Sequence, residues 1–116
     1  MGALRRWSRA RLLLAAALLD LWGCARGADS PREAAELYRG HCARCHGPDG
    51  KGDRRSIGLN PNLDLTAAPN VQRGNRDQIR QRIADGYGPM PAFSTKLDAR
   101  QIELLTTYAI ELAKEK

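Results

Sequence analysis

Large side chains are scarce in this chain. Two tryptophans, three tyrosines and one phenylalanine make up 5% of its 116 residues. Trp7 and Trp22 lie in an N-terminal stretch that reads as removable, which leaves Tyr38, Tyr87, Phe93 and Tyr108 for a domain of roughly 90 residues. So thin a core is usually supplemented by disulfides, a metal or a bound group. Three cysteines cannot build a disulfide framework. Apolar runs approaching the roughly 20 residues of a membrane-spanning helix are missing, as is any period-two run that would read as a strand. The length leaves room for one small domain. A long single-domain enzyme, a membrane bundle and a repeat protein are excluded.

A concentrated basic face is also missing, although the formal charge is +6. Half of that excess comes from Arg5, Arg6, Arg9 and Arg11, set against Asp20. Beyond residue 23 the two signs are interspersed, 15 basic against 12 acidic, with no aromatic residues interleaved among the basic ones. Nucleic-acid binding wants a basic stripe and loses its support here.

The four arginines precede Leu12 to Leu19, an unbroken apolar run, and small residues follow around Gly23 to Ala28. That order is the charged, apolar and cleavage region of a secretory signal. An amphipathic membrane-surface helix would need a polar face, and this run has none. Residues 1–25 are therefore expected to be a signal peptide. Leu21-Trp22-Gly23-Cys24 is similar to a bacterial lipoprotein box, with cleavage before Cys24 and a lipid anchor on it. The other cleavage, after Ala25, removes Cys24 with the leader. Either way Cys24 is not left as a free thiol. Residues 26–30 read as a short linker and 31–116 as the domain.

Ser30-Pro31-Arg32-Glu33 has the form of a capping box with proline at the first helical position, so a helix is expected from about residue 31. Ala34, Leu37, Tyr38 and His41 give it one stripe. Seven glycines and prolines, from Gly47 through Pro69, then punctuate the chain up to Gly74. A loop of that length makes sense in a small domain only if it wraps something. Asn75 or Asp77 can cap a second helix through Asp85, with Ile79 and Ile83 on one face and Gly86 ending it. Gly88-Pro89-Met90-Pro91 must be extended or turning, because prolines flank the methionine. Asp98 with Gln101 caps a last helix whose stripe is Ile102, Leu105, Tyr108, Ala109 and Leu112.

The chemistry concentrates at Cys42-Ala43-Arg44-Cys45-His46, the C-x-x-C-H pattern of c-type haem attachment. Two thiols three positions apart at a helix end can each form a thioether to one haem vinyl group. The adjacent histidine then lies under the iron as proximal ligand. A thioredoxin-like redox pair would want a preceding strand and a βαβ chain. A zinc site would want four ligands, and only His41 or carboxylates could complete the set. Met90, the one methionine besides the initiator, follows His46 by 44 residues. Thioether sulfur ligates haem iron, and Met/His ligation raises the reduction potential. A core methionine filling a gap is the plain alternative, but a place between two prolines suits that role poorly.

Taken together, these residues resemble the small class I cytochromes c, over about Ala34 to Leu112. Tyr38 stands where the family places an aromatic residue, and Gly50-Lys51-Gly52 is similar to the glycine-rich turn after the haem motif. Asn60-Pro61-Asn62-Leu63 is similar to the proline-containing segment, Met90-Pro91-Ala92-Phe93 to the distal ligand loop, and Leu105-Thr106-Thr107-Tyr108 to the terminal helix crossing the first. The resemblance implies an all-α cytochrome c fold, three to four short helices around one haem. It implies one haem c per chain, held covalently by Cys42 and Cys45, with iron ligated by His46 and Met90. The carbonyl of Pro61 would accept the other ring N–H of His46. Where the family often has glycine at the helix crossing, this chain has Ala34, whose methyl should hold the terminal helices slightly further apart.

The expected function is a single-electron carrier between exported redox proteins in the bacterial periplasm, not an enzyme. Its partners would be an oxidase, reductase or dehydrogenase, with no nucleic acid and with the membrane reached only through lipidated Cys24. Two rivals stand beside it: a haem-bearing subunit of a periplasmic dehydrogenase or oxidase, and a peroxidase-type or ligand-sensing protein whose sixth position opens. His41 reads as a rim histidine. Tyr87 reads as packing or as a neighbour of the haem or Met90. Arg54, Arg55, Arg73 and Arg76 read as solvated surface, with propionate pairing or a docking rim as the sharper role.

Overall fold

A computed structural model describes residues 29–115. The signal peptide, Cys24 with its lipid anchor, and the first three residues of the linker lie outside the described residues. From Pro31 onwards the chain forms one compact unit.

Five α-helices carry it: α1 Asp29–His41, α2 Ala43–His46, α3 Pro69–Gln72, α4 Arg76–Asp85 and α5 Ala99–Lys114, with a 3-10 turn at Pro61–Leu63. Among the described residues there is no strand, only one isolated bridge between Tyr87 and Met90. The all-α expectation holds, but the described residues carry five helices where three to four were expected, because the single turns Ala43–His46 and Pro69–Gln72 are too short to show a periodic stripe. Helix α1 begins at Asp29, so Ser30 lies within its first turn and the expected start at 31, with Ser30 as cap, is corrected. The other two long helices start where their caps say. Asn75 accepts the Gln78 N–H at the head of α4, and Asp98 with Gln101 completes a reciprocal capping box at the head of α5.

The stretch from Gly47 to Gly74 is less bare than its glycines suggest. Besides the 3-10 turn and α3, the Leu65 N–H reaches the Gly50 carbonyl at 2.8 Å. Asp64 accepts from the backbone and hydroxyl of Thr66 at 2.8 and 2.7 Å. Proline 61 and proline 69 each open one of these short helical turns, a position where the missing N–H has no intrahelical partner to lose.

The core joins Tyr38 of α1, Val71 of α3, Ile79 and Ile83 of α4, Phe93 and Leu97, and Ile102, Leu105, Ile110 and Ala113 of α5. Helix α5 is buried over a wider arc than its stripe implied. Thr106 is fully enclosed, its hydroxyl donating to the Ile102 carbonyl at 2.8 Å. Ala34 is buried too, and the crossing contact is made, with the Tyr38 and Tyr108 rings 5.1 Å apart between centroids. At the other end of α5, Arg100 grips Glu33 through two bonds of 2.7 and 2.8 Å. Helices α1 and α5 are thus tied at two levels.

Candidate functional site

Helix α2 is a single turn, and it sets the spacing of the motif. The His46 N–H donates to the Cys42 carbonyl at 2.9 Å and the Cys45 N–H to the same oxygen at 3.1 Å. Residues three apart on such a turn share a side. Cys42 is half-buried against the core, and Cys45 is exposed. Burial, reinforced by Cys45, pushes the free Cys42 thiol up to about 11.

The turn that follows holds the end of α2 from outside. Gly52 and Asp53 donate their N–H groups to the carbonyls of His46 and Cys45 at 2.7 and 2.9 Å. Gly47 makes this approach feasible. Its φ is +74°, and a Cβ there would meet the Gly52 carbonyl oxygen at 2.9 Å. The Gly47 carbonyl in turn accepts the hydroxyl of buried Tyr38 at 2.8 Å, and burial raises the Tyr38 phenol well above its ordinary range. The aromatic residue four positions before Cys42 therefore reaches past the motif and fastens its far side.

His46 is half-buried, with its Nδ1 2.8 Å from the Leu63 carbonyl oxygen. A carbonyl can only accept, so the proton is on Nδ1 and the lone pair of neutral His46 is on Nε2. The expected acceptor, Pro61, is corrected to Leu63. Pro61 opens the 3-10 turn, and its carbonyl faces the Asp64 N–H at 3.2 Å instead. The turn carries the oriented carbonyl two residues further along.

Met90 packs half-buried against the same core as Cys42. It sits at the end of a two-residue turn in which Tyr87 and Met90 exchange backbone hydrogen bonds of 3.1 and 3.0 Å. The His41 ring, next to Cys42 in the chain, meets the Phe93 ring edge-on at 5.8 Å, a contact between the end of α1 and the segment after Met90. His41 itself is exposed, as a rim residue should be. Arg76 is not free for a bound anion: it is engaged by Glu103 and by the Thr107 hydroxyl. Arg54, Arg55 and Arg73 are exposed.

A family model described as cytochrome C oxidase, cbb3-type, subunit III matches residues 29–108. Cytochrome c6 of Aphanizomenon flos-aquae is 32% identical over 79 residues, 68% of this chain and 86% of that protein. This chain belongs to the class I c-type cytochromes. Cytochrome c6 of Thermosynechococcus vestitus is 29% identical over 98 residues, 84% of this chain and 83% of its own length. The cbb3-type cytochrome c oxidase subunit FixP of Azorhizobium caulinodans is 36% identical over 92 residues, 77% of this chain. The chain spans only 30% of the length of FixP.

The cofactor of this cytochrome is haem c with its iron, bound covalently, and its chemistry is electron transfer. The described residues fit that group. One helical turn presents two thiols on a side, the adjacent imidazole has its Nε2 lone pair available, and the Met90 thioether packs against the same core as Cys42. Among the described residues no three His, Cys, Asp or Glu side chains converge as a cation site, so the zinc alternative has no donor set.

Sequence reasoning missed Leu63, because backbone acceptors carry no side-chain signature. It also missed the Arg82 guanidinium, which lies 4.4 Å from the centre of the Tyr87 ring. An Arg five residues before a Tyr across a helix-ending glycine was the available signal.

Proposed function

We propose that this cytochrome carries single electrons between redox proteins outside the cytoplasm, with haem held by Cys42 and Cys45 and iron bound by His46 and Met90. When bound, haem c would supply the one-electron chemistry, and His46 and Met90 would be the residues that hold its iron. The chain's residues do the rest. Cys42 and Cys45 would hold the group through one thioether each. The Leu63 carbonyl holds the proton on His46 Nδ1, which leaves the Nε2 lone pair for a metal and would raise its basicity. Met90 offers a soft sulfur that favours ferrous iron. Tyr38, Phe93 and Leu105 exclude water behind the site.

The observation that carries this reading is the 2.8 Å contact between His46 Nδ1 and the Leu63 carbonyl, since it selects the tautomer that a proximal ligand needs. Segment 86–94 contains no carboxylate, lysine or histidine. That composition favours a closed sixth position over a peroxidase-type site, which would want an acid or base there. The test is a potentiometric titration of the matured protein followed by acid-acetone extraction. The expected result is one reversible single-electron wave and haem that stays with the chain. A two-electron wave, or haem that extracts freely, would contradict the reading.

A second reading is favoured by the match to cbb3-type subunit III and to FixP: this domain acts as the haem-bearing part of a membrane oxidase rather than as a free carrier. Affinity purification from gently solubilised membranes separates the two, because only the oxidase reading expects stoichiometric oxidase subunits to come with the chain. Export through the arginine-led segment, with Cys24 either lipidated or removed, is tested by the intact mass of the mature chain.

A further inference from the structure

The loop bearing Met90 leaves and returns to one place, the C-terminal end of α4. The last carbonyls of a helix lack partners inside it. Here the Arg82 carbonyl accepts from Gly86 N–H at 3.0 Å, the Ile83 carbonyl from Phe93 at 3.0 Å and the Ala84 carbonyl from Ser94 at 3.1 Å. Within this closed segment the Tyr87–Met90 pair fixes the backbone of the methionine. Gly86 lies so close that a Cβ on it would sit 2.7 Å from the Met90 carbonyl oxygen, at a φ of +81°.

One side-chain contact remains that the fold does not require. Tyr87 is 61% exposed, so burial does not hold its ring in place. Arg82, one turn from the end of α4, lays its guanidinium over that ring at 4.4 Å from the centroid. Among the described residues the Arg82 guanidinium has no ion pair and the Tyr87 hydroxyl no hydrogen bond. The stacked contact is what each head group makes. It spans from the helix to the first residue of the turn whose last residue is Met90.

We propose that Arg82 and Tyr87 are positioning residues for Met90: their stacking latches the turn to the end of α4 and sets how readily an outside ligand displaces the methionine sulfur from iron. The latch rests on the reading of Met90 as the sixth ligand. Displacement needs the turn to swing away, and a contact present only in the closed form lowers a competitor's apparent affinity by its share of the closing equilibrium. An exposed cation–π contact supports an effect of about two- to fivefold.

Imidazole titration of the matured ferric protein tests the latch, following the long-wavelength charge-transfer absorption that a thioether–ferric iron bond produces. Arg82→Leu and Tyr87→Leu should each tighten imidazole binding by about two- to fivefold, and the double variant by no more than either alone. Arg82→Lys and Tyr87→Phe keep a cation and a ring and should stay near the parent. Arg80→Leu, which removes the exposed pairs with Asp77 on the same helix and with Glu103 of α5, is the control for general destabilisation. It should leave imidazole affinity unchanged while any fall in thermal midpoint is recorded. The latch is overturned if Arg82→Leu leaves the affinity unchanged, if the two substitutions multiply, or if Arg80→Leu has an equal effect. Failure of the underlying reading looks different: Met90→Ala would then leave both the absorption and the imidazole affinity as they were.

Discussion

Met90 is the proposed sixth ligand and His41 the rim residue, and the two stand in different settings. Met90 is half-buried against the core and pinned by its turn, whereas His41 is exposed with its ring on the edge of Phe93. Met90→Ala should lower the reduction potential and let carbon monoxide or water reach iron, because loss of the thioether removes the ligand that favours ferrous iron. His41→Ala should leave potential and spectrum nearly unchanged. Potentiometry on the two variants decides it, and the reverse pattern would mean bis-histidine ligation. Tyr38 gives a second test at this scale. Tyr38→Phe removes the 2.8 Å bond to the Gly47 carbonyl and keeps the buried ring. Gly50 still donates to that carbonyl at 3.3 Å, so the expected loss is about 0.5–1.5 kcal/mol in denaturant unfolding. A loss several times larger would mean that the ring itself had shifted.

Helix starts were legible in the chain where a side chain closes them. Asn75 and Asp98 with Gln101 carry their signal in their own chemistry. The start of α1 was not, because Asp29 and Ser30 continue the helix through the residues that looked like its cap. Interactions between distant elements were also silent. Arg100 and Glu33 stand 67 residues apart, and only the crossing of α1 with α5 brings them together. The proposed ligand set of Cys42, Cys45, His46 and Met90 could be written from the sequence because its donor atoms are side-chain atoms. Leu63 could not, since the 3-10 turn decides which of several equivalent carbonyls faces the imidazole. The α1–α5 pair carries a pH dependence. Arg100, bonded to Glu33, holds the Glu33 carboxyl below its ordinary value. A carboxylate depressed in the folded state adds stability above its unfolded value, and that stability is lost as pH falls through the folded one. Arg100→Ala should therefore lower the thermal midpoint at neutral pH, and the gap to the parent should close in strong acid. Both groups are exposed, so the effect is small. A gap that widens on acidification would contradict the assignment.

At the scale of the molecule, the thin core noted in the composition reappears as structure. Tyr38 and Phe93 are the only aromatic side chains buried among the described residues. The segment between α2 and α4 contains only short helical turns, arranged around the haem motif. The covalent group is accordingly expected to complete the core, and binding and folding are coupled when a site is finished only by what it holds. Protein made without haem attachment should lose its sharp thermal transition and its near-UV signal. A cooperative transition with native-like near-UV signal in haem-free protein would contradict this.

In the proposed carrier, His46 and Met90 together would leave no open position at the iron. A visible spectrum of the reduced, matured protein at neutral pH, recorded before and after saturation with carbon monoxide, tests it most directly. The account expects a six-coordinate low-spin c-type spectrum that carbon monoxide leaves unchanged, while Met90→Ala responds at once. Ready carbon monoxide binding by the parent protein would contradict it, and would make this cytochrome a ligand-binding protein instead.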